Sequence, residues 1–381
     1  MKVKIGDICT LKSGISLKDD VLNRSDGILY VKVSDMNLLG NEKYIVCANS
    51  YANEGISSKM LFPVGTLLFP KRGGAIGTNK KRIASKVVCA DLNIMGVIPS
   101  EKIRPLYLYY YFQNIDLGTL YNGSSVPQIN NTDIAPMEIE LFSLEKQDEI
   151  VGLLEKVDWI IRKRKEELSA LDNLIKARFV EMFGDPKINE KRWNSGIISD
   201  YYEVKGGKRI PKGMGYSARV TTHPYLRATD MKNETILDED IHYIDDEVYE
   251  HIKRYTVKGG DIYLTNVGVN LGMAGVIPEK YDGANLTENA VKLVPKTEKI
   301  IDGRFLAHYI NSPGIQEYIN ERKMSVGVPK LAIFRIETMP LLLPPIDIQI
   351  QFVKFCHQVD KSKVAVQKAL EEMQLLFDSL M

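Results

Sequence analysis

The stretch Leu144–Phe183, LEKQDEIVGLLEKVDWIIRKRKEELSALDNLIKARFVEMF, decides the fold of this chain. It has no proline and a single glycine, and it is rich in leucine, glutamate and lysine, which a long helix tolerates. Its apolar residues recur at alternating steps of four and three, the spacing of a heptad seam. The seam consists of Ile150, Leu154, Val157, Ile161, Arg164, Leu168, Leu171, Ile175, Arg178 and Met182. The pattern predicts one long helix that needs a partner helix to cover its seam.

A second copy of this seam lies at the end of the chain. An offset of 202 residues carries Ile150 onto Phe352, and the rest of the seam follows with one polar break at Lys363. The shifted seam consists of Phe352, Cys356, Val359, Lys363, Val366, Leu370, Met373, Phe377 and Leu380. We therefore expect the terminal helix to be the partner of the first.

Shorter matches in the same order show that the whole chain is a tandem repeat. Ile5-Gly6-Asp7 matches Ile198-Ser199-Asp200, Tyr30–Met36 matches Tyr225–Met231, Gly65–Phe69 with Gly73 and Ile76-Gly77 matches Gly260–Leu264 with Gly268 and Leu271-Gly272, and Val126-Pro127 matches Val328-Pro329. The offset grows only from 193 to 202 residues, as small loop insertions would produce. The predicted organisation is a first module (1–143), a long helix (144–184), a second module (185–345) and a second long helix (346–381).

Each module is predicted to be α+β. Short strand-like runs are bounded by glycine, asparagine, aspartate or proline, which favours a twisted and largely antiparallel sheet. Helices are expected at Pro105–Gln113 and at Gly303–Ile310. Gly184, followed by Asp185 and Pro186, should end the first long helix.

The composition fits ordinary globular domains. Hydrophobic residues make up 44% of the chain and charged residues 26%, with a formal net charge of +1. The four cysteines show no paired spacing, so we expect reduced thiols and neither disulfides nor a zinc site. Because the sequence contains no signal peptide and no long apolar run, we expect a cytoplasmic protein that does not insert into membranes.

No catalytic or metal-binding constellation is predicted. All five histidines fall in the second half, so the repeat has no shared histidine site. Asp185, Glu203 and Lys205 resemble the spacing of metal-dependent nucleases, but that match is frequent by chance. The glycines of the two modules fit either tight turns after a strand or loops whose backbone approaches a ligand closely. These glycines are Gly73, Gly74 and Gly77, and Gly268 and Gly272.

Positive charge is concentrated in one acid-free segment of each module. The first, between Glu54 and Asp91, contains Lys59, Lys71, Arg72, Lys80, Lys81, Arg82 and Lys86. The second, between Glu203 and Asp230, contains Lys205, Lys208, Arg209, Lys212, Arg219 and Arg227. Such segments suit contacts to nucleic-acid phosphates, although a solvated basic face is the alternative interpretation.

The order of these features resembles the specificity subunits of Type I restriction–modification systems. The residues that carry the resemblance are Ile5-Gly6-Asp7 with Gly14, Tyr225-Leu226-Arg227 with Asp230-Met231, Gly260–Tyr263, Gly184-Asp185-Pro186, and the ends of the modules, Ile139–Leu144 with Gln147 and Leu341–Pro345 with Gln349. The resemblance covers essentially the whole chain, and its specific element is the doubled order of the motifs.

The resemblance implies two target recognition domains, with the long helices forming an antiparallel coiled coil of pseudo-two-fold symmetry. It implies a non-catalytic subunit that reads a bipartite site in double-stranded DNA and recruits two adenine methyltransferase subunits, joined by restriction subunits. No cofactor is expected on this chain, since S-adenosylmethionine would be bound by the methyltransferase. The absence of methyltransferase and nuclease motifs agrees with such a role.

The resemblance also yields candidate site residues. Arginine and asparagine can read guanine and adenine edges, whereas lysine mostly contacts phosphate. The candidate DNA-binding residues are Lys71, Arg72, Lys80, Lys81, Arg82, Ser124, Ser125, Gln128, Lys205, Lys208, Arg209, Asn266, Asn270, Lys323, Ser325 and Lys330. Trp159, Arg162 and Lys165 are candidates for binding the methyltransferase, although Trp159 would equally suit packing against its own module.

Two other classes of protein are considered. A single-chain restriction enzyme or methyltransferase would require a catalytic domain, for which the two repeats leave no residues. A two-headed scaffold on a coiled coil would bind proteins rather than DNA, and the basic segment in each module argues against it.

Overall fold

The computed structural model describes residues 1–23, 25–53, 55–121, 127–297, 301–324 and 327–380. The chain divides into two compact units, Met1–Lys165 with Gln367–Met381, and Glu166–Val366. Each unit therefore contains one module together with part of each long helix. The sequence-based division at the helix ends differs from these units, because each helix contributes to both.

The first unit is built from short, mostly antiparallel strands. One sheet contains, in spatial order, Leu22–Asn23, Tyr51–Ala52, Ile28–Val31, Val88–Ala90 and Leu61–Phe62. A second contains Cys9–Ser13, Ile94–Pro99, Leu67–Pro70, Arg82–Ala84 and Tyr44–Ile45, and a separate pair joins Lys2–Lys4 to Glu138–Glu140. Its helices, besides parts of the long ones, are Ile5–Ile8, Pro105–Gln113 and Asn131–Ile134, with 3-10 turns at Asp19–Val21, Val33–Asn37, Ser58–Met60, Gly73–Thr78 and Leu117–Thr119.

The second unit repeats this plan with additions. Its main sheet contains, in spatial order, Tyr202–Gly206, Ala290–Pro295, Ile262–Thr265 and Ala274–Val276. Smaller sheets contain His242–Tyr243, Pro224–Leu226 and Asn285–Leu286; Asn194–Ile197 and Pro340–Leu343; and Met231–Lys232 and Thr235–Ile236. Its helices, besides parts of the long ones, are Ile198–Tyr201, Asp246–Ile252, Gly303–Asn311, Pro313–Arg322 and Ile333–Glu337, with a 3-10 turn at Glu279–Tyr281.

The α+β class and the predicted helices are confirmed. The helix Pro105–Gln113 has the expected bounds and begins with proline, whose missing amide hydrogen costs nothing in a first helical turn. The helix predicted at Gly303–Ile310 extends to Asn311. Sequence reasoning missed Pro313–Arg322, which also begins with a proline.

The two long helices span Leu144–Phe183 and Ile346–Leu380. In the first unit, Leu154, Val157 and Ile161 are buried in one core with Phe377, whose ring centroid lies 5.9 Å from that of Tyr110. Every predicted seam position in both helices is buried or half-buried. The heptad pattern therefore identifies the covered face.

In the second unit the helix segments run in opposite directions. The ring centroids of Phe179 and Phe352 are 5.5 Å apart, while Asp172, earlier in the first helix, pairs with Lys363, later in the second. This pairing also accommodates the polar break at Lys363. The antiparallel pairing predicted from the resemblance is thus present.

Gly184 ends the first long helix as predicted. It adopts a left-handed backbone conformation, with φ of +77°, and its amide donates to the carbonyl oxygen of Val180 at 2.8 Å. Among the described residues, no helix has the length and apolar character needed to span a bilayer.

Candidate nucleic-acid interface

The strand Cys9–Ser13 of the first unit and the strand Tyr202–Gly206 of the second unit each end in a glycine turn. In the first unit, a Cβ on Gly14 would lie 2.1 Å from the carbonyl oxygen of Asp91, so only glycine fits. The Tyr30 hydroxyl donates to the carbonyl oxygen of Ile15 at 3.0 Å and stabilises this turn. We call residues 13–15 the first turn and residues 91–93 the return turn of the first unit.

The second unit builds the same pair of turns. A Cβ on Gly207 would lie 2.1 Å from the carbonyl oxygen of Thr287, and the Tyr225 hydroxyl donates to the carbonyl oxygen of Lys208 at 2.8 Å. Residues 206–209 and 287–289 are its first turn and return turn. The repeat therefore includes matching hydrogen bonds that no sequence motif predicts.

A glycine loop follows the strand Leu67–Pro70 in the first unit and the strand Ile262–Thr265 in the second, at residues 71–78 and 266–273. The Gly73 amide donates to the carbonyl oxygen of Pro127 at 2.8 Å, and the Gly268 amide donates to that of Pro329 at 3.0 Å. Each glycine loop is thereby bound to a proline segment, 127–130 in the first unit and 328–331 in the second. The two sets of loops predicted as separate DNA-binding candidates therefore lie together.

The glycine loop also binds the return turn. The Lys71 amide donates to the carbonyl oxygen of Asn93 at 2.8 Å, and the Asn266 amide donates to that of Asn289 at 3.0 Å. First turn, return turn, glycine loop and proline segment thus form one continuous surface in each unit, which we call the loop edge. Sequence reasoning missed both asparagines, although Asp91-Leu92-Asn93 and Thr287-Glu288-Asn289 occupy matching places in the repeat.

In the first unit, the loop edge exposes Arg72. Its Nε donates to Oε1 of Gln128 at 2.9 Å, and the Gln128 amide nitrogen donates to Oδ1 of Asn130 at 2.6 Å. These two hydrogen bonds hold the guanidinium in place. Its two terminal nitrogens are left on an exposed side chain. Such an arrangement suits a bidentate contact with a guanine. The candidates Ser124 and Ser125 lie outside the described residues.

Two predicted phosphate contacts are buried, which corrects the expectation from charge. The Lys71 ammonium donates to the Ser13 hydroxyl at 2.7 Å. The Lys81 ammonium, on a residue only 1% exposed, donates to Oδ1 of Asn79 at 2.7 Å and to the carbonyl oxygen of Ile115 at 2.6 Å. Burial lowers the pKa of both lysines, that of Lys81 to about 8. Both ammonium groups bind partners inside the unit, so neither lysine is exposed for a phosphate contact.

The remaining basic candidates of the first unit also have internal partners. Arg82 donates from its terminal nitrogens to the carbonyl oxygens of Met36, at 3.0 Å, and Lys81, at 2.8 Å, and burial lowers its pKa. Lys80 is half-buried and its ammonium binds the side-chain oxygen of Asn37. Their roles in DNA binding stay predictions.

In the second unit, three basic candidates lie on or beside the first turn and are exposed. Arg209 binds Glu288 at 2.5 Å, which links the first turn to the return turn. The Lys208 ammonium lies 5.7 Å from the centroid of the Tyr255 ring, and Lys205 pairs with Glu203 at 2.8 Å. These contacts leave Lys208 without an acidic partner among the described residues.

The glycine loop and proline segment of the second unit contain the other candidates. Asn266 is buried, and its Oδ1 accepts no hydrogen bond from the described residues, while Nδ2 lies 3.4 Å from the carbonyl oxygen of Leu331. Asn270 is half-buried and Lys330 is exposed. Lys323 donates to Oδ1 of Asn320 at 2.7 Å, and Ser325 lies outside the described residues.

The candidates for partner binding lie on the first long helix. Trp159 is 56% exposed, which does not support its packing against its own module. Arg162 pairs with Asp158 at 3.3 Å one turn away, and Lys165 is exposed. Their function stays a prediction.

Comparisons with known proteins agree with a DNA-recognition protein built from two modules. The family profile described as "Type I restriction modification DNA specificity domain" matches residues 1–170 and 190–373. The chain is 22% identical over 350 residues to a Type I restriction enzyme specificity subunit of Methanocaldococcus jannaschii, covering 85% of this chain and 77% of the relative.

Two solved structures share the fold. A Type I restriction–modification S subunit from M. genitalium matches with a TM-score of 0.51 and 15% identity, over 100% of this chain and 94% of that chain. A chain from a structure of complex assembly and conformational transition of the type I R-M system matches with a TM-score of 0.63 and 16% identity, over 100% and 96%.

The chain belongs to the Type I restriction modification DNA specificity family. Membership of that family makes it a DNA sequence-recognition subunit and not the catalytic part of such a system. The resemblance drawn from the sequence is confirmed.

Proposed function

We propose that each unit reads one half of a bipartite site in double-stranded DNA and that the chain brings adenine methyltransferase subunits to that site. The observation that carries this proposal is the loop edge, which has the same backbone hydrogen bonds in both units but different side chains. A shared backbone gives both units the same way of approaching DNA. Different side chains give each unit its own bases, since base edges and not phosphates carry sequence information.

The side chains at matching positions differ in chemistry. Arg72 and Gln128 of the first unit correspond to Val267 and Lys330 of the second, as their bridging backbone contacts indicate. Arginine and glutamine together favour purine edges, whereas valine and lysine offer an apolar contact and a phosphate contact. Two different half-sites are therefore expected, and an asymmetric motif follows.

The assembly is proposed to contain two methyltransferase subunits, joined by restriction subunits, with S-adenosylmethionine bound by the methyltransferase. The curated relative is named as a specificity subunit of a Type I restriction enzyme, which supports this assignment. The exposed face of the first long helix around Trp159, Arg162 and Lys165 is our candidate for the docking surface.

Mapping of adenine methylation tests the proposal. Cells lacking endogenous adenine methylation would express the cognate methyltransferase with or without this chain. One split motif, methylated only when the chain is present, is the expected result. Methylation that is absent or independent of the chain, despite a purified complex, would overturn the proposal.

Binding of purified complex to duplex DNA separates the proposal from a protein-binding scaffold. A specificity subunit that contacts several phosphates should lose affinity steeply as salt rises. A scaffold would show no salt-dependent preference for the methylated motif over a scrambled duplex.

A further inference from the structure

The glycine loop of the second unit carries an exposed aliphatic side chain at its tip. Val269 is 99% exposed, and it lies between Gly268 and Asn270 on a polar edge. Single exposed apolar residues are common on protein surfaces, so exposure alone carries no function. Val269 differs from such residues in its position on the proposed DNA-reading surface and in the hydrogen bonds that fix its loop.

Hydrogen bonds from several directions fix the loop beneath Val269. The Gly272 amide donates to the carbonyl oxygen of Thr265 at 2.8 Å, and the Leu271 amide donates to that of Gly268 at 3.2 Å. The Gln316 amide nitrogen donates to the carbonyl oxygen of Gly272 at 2.7 Å. Because valine is also restricted to few χ1 rotamers, little entropy would be lost when its methyl groups meet a ligand.

The chemistry of this tip suits an A·T base pair. In the major groove, the C5-methyl group of thymine is the one apolar feature, and small aliphatic side chains contact it. The next residue, Asn270, has a side-chain amide for which the described residues give no hydrogen-bond partner, and asparagine reads adenine bidentately. Minor-groove wedges are usually longer or bulkier side chains, so insertion between bases fits valine less well.

The first unit lacks this feature. Because Gly73 matches Gly268 in the repeat, Gly74 is the residue that matches Val269. Gly74 has no side chain that could contact a methyl group. The first unit instead presents Arg72 with Gln128 at its loop edge. The difference at the loop tip is therefore specific to the second unit.

We infer that Val269 determines specificity in the second unit by contacting the C5-methyl group of a thymine in its half-site. The inference rests on the proposed function and adds to it the identity of one base in the second half-site. It assigns a base-reading role to an aliphatic residue, which neither the charge pattern nor the list of polar candidates identifies.

Uracil substitution tests the inference directly, because uracil keeps Watson–Crick pairing and removes only the methyl group. Duplexes would carry the motif defined by methylation mapping, with the thymines of one half-site at a time replaced by uracil. Uracil in one half-site should weaken binding of the full complex about four-fold per contacted methyl group. The Val269→Ala complex should bind the thymine duplex about four-fold more weakly or worse and no longer distinguish it from the uracil duplex.

Val220→Ala is the matched control. Val220 is 76% exposed in the same unit. It lines a depression with Arg219, Asp245, Asp246 and Glu247, where three acidic groups against one basic group disfavour contact with DNA. This variant should behave like wild type towards both duplexes. Thermal unfolding of both variants should match wild type, since neither side chain is packed.

Each outcome has one meaning. A wild-type complex that does not prefer the motif over a scrambled duplex refutes the proposed function itself. Specific binding with equal affinity for thymine and uracil, or with discrimination that survives in Val269→Ala, refutes only the role of Val269. A second-unit half-site that contains no thymine refutes it as well.

Discussion

The backbone amide of Gly73 donates a hydrogen bond of 2.8 Å to the carbonyl oxygen of Pro127, across a long separation in sequence. The matched amide of Gly268 binds Pro329 in the second unit at 3.0 Å. Two loops that carry separate candidate residues are thus joined in the same way twice. The bond joins the glycine loop and the proline segment into one surface in each unit.

Replacing Gly268 by alanine should damage this surface. Its φ of +103° is strained for any residue with a Cβ, so we expect a loss of about 1–3 kcal/mol in local or global stability and weaker binding to the second half-site. Gly215→Ala is the control, because Gly215 lies outside the left-handed region and a Cβ there would meet nothing within 4 Å. Urea unfolding and binding to the motif duplex measure both effects. Equal stability and affinity of Gly268→Ala and wild type would contradict the role of this turn.

Arg72 should act as a base-reading residue. We expect Arg72→Ala to weaken specific binding by about 1–3 kcal/mol and to relax the motif at one position of the first half-site. Arg72→Lys keeps the charge but loses the planar fork, so the relaxed position should persist while nonspecific affinity recovers. Methylation mapping of the two variants measures the motif. A uniform loss at all positions, cured by lysine, would instead identify Arg72 as a phosphate contact.

Lys208 should contact phosphate without sequence preference. Lys208→Gln is expected to weaken binding to motif and scrambled duplexes alike and to reduce the slope of log affinity against log salt by about 0.9. Lys280→Gln serves as the control, because Lys280 is exposed in the same unit but pairs with Asp238. Fluorescence anisotropy at several salt concentrations gives both slopes. An unchanged slope for Lys208→Gln would exclude the phosphate contact.

The features found from sequence are those with long-range order along the chain. The seam through Leu154 and Phe352 spans many turns, so chance matches average out and the helices emerge with nearly correct bounds. The repeat also predicts that matching loops have matching structures, and the hydrogen bonds of Gly73 and Gly268 agree with this. Patterns of this length predict structure well because many residues indicate the same element.

The features missed from sequence depend on contacts between distant loops. The charge pattern groups Lys81 with exposed basic residues, because a run of charge is usually solvated. The structure brings Asn79, in a left-handed conformation, and the carbonyl oxygen of Ile115 to its ammonium, and no local pattern encodes that meeting. Val269 was missed for the opposite reason, because apolar residues are expected inside the fold.

The buried ammonium of Lys81 predicts a specific pH dependence of stability. Its pKa is about 8 in the folded protein and near the ordinary 10.5 when unfolded, so between these values the unfolded state binds more protons. This group therefore makes the protein more stable as pH rises from about 8 towards 10.5, whereas below pH 8 the cost of burying the charge is present in full. The contribution is on the order of 1–3 kcal/mol.

The variant Lys81→Met isolates this contribution. Ionisation of buried tyrosines acts in the opposite direction at high pH, and both proteins share it, so the difference between them reports on Lys81. We expect wild type to gain stability relative to Lys81→Met as pH rises from 7 to 10 in urea unfolding experiments. A difference independent of pH would show that the ammonium is not desolvated.

Trp159 should anchor the methyltransferase. Trp159 presents a large apolar side chain that is 56% exposed on a long helix. Tryptophan is enriched at the centres of protein interfaces. Trp159→Ala should weaken association with the methyltransferase by about 2 kcal/mol or more, roughly thirty-fold, and leave motif preference in the remaining complex unchanged. Leu153→Ala is the matched control, since Leu153 is 49% exposed on the same helix but lies about 120° around its axis. Analytical ultracentrifugation with purified methyltransferase would measure both affinities. If Trp159→Ala associates as tightly as Leu153→Ala, the methyltransferase binds elsewhere, and the exposed tryptophan has no part in the complex.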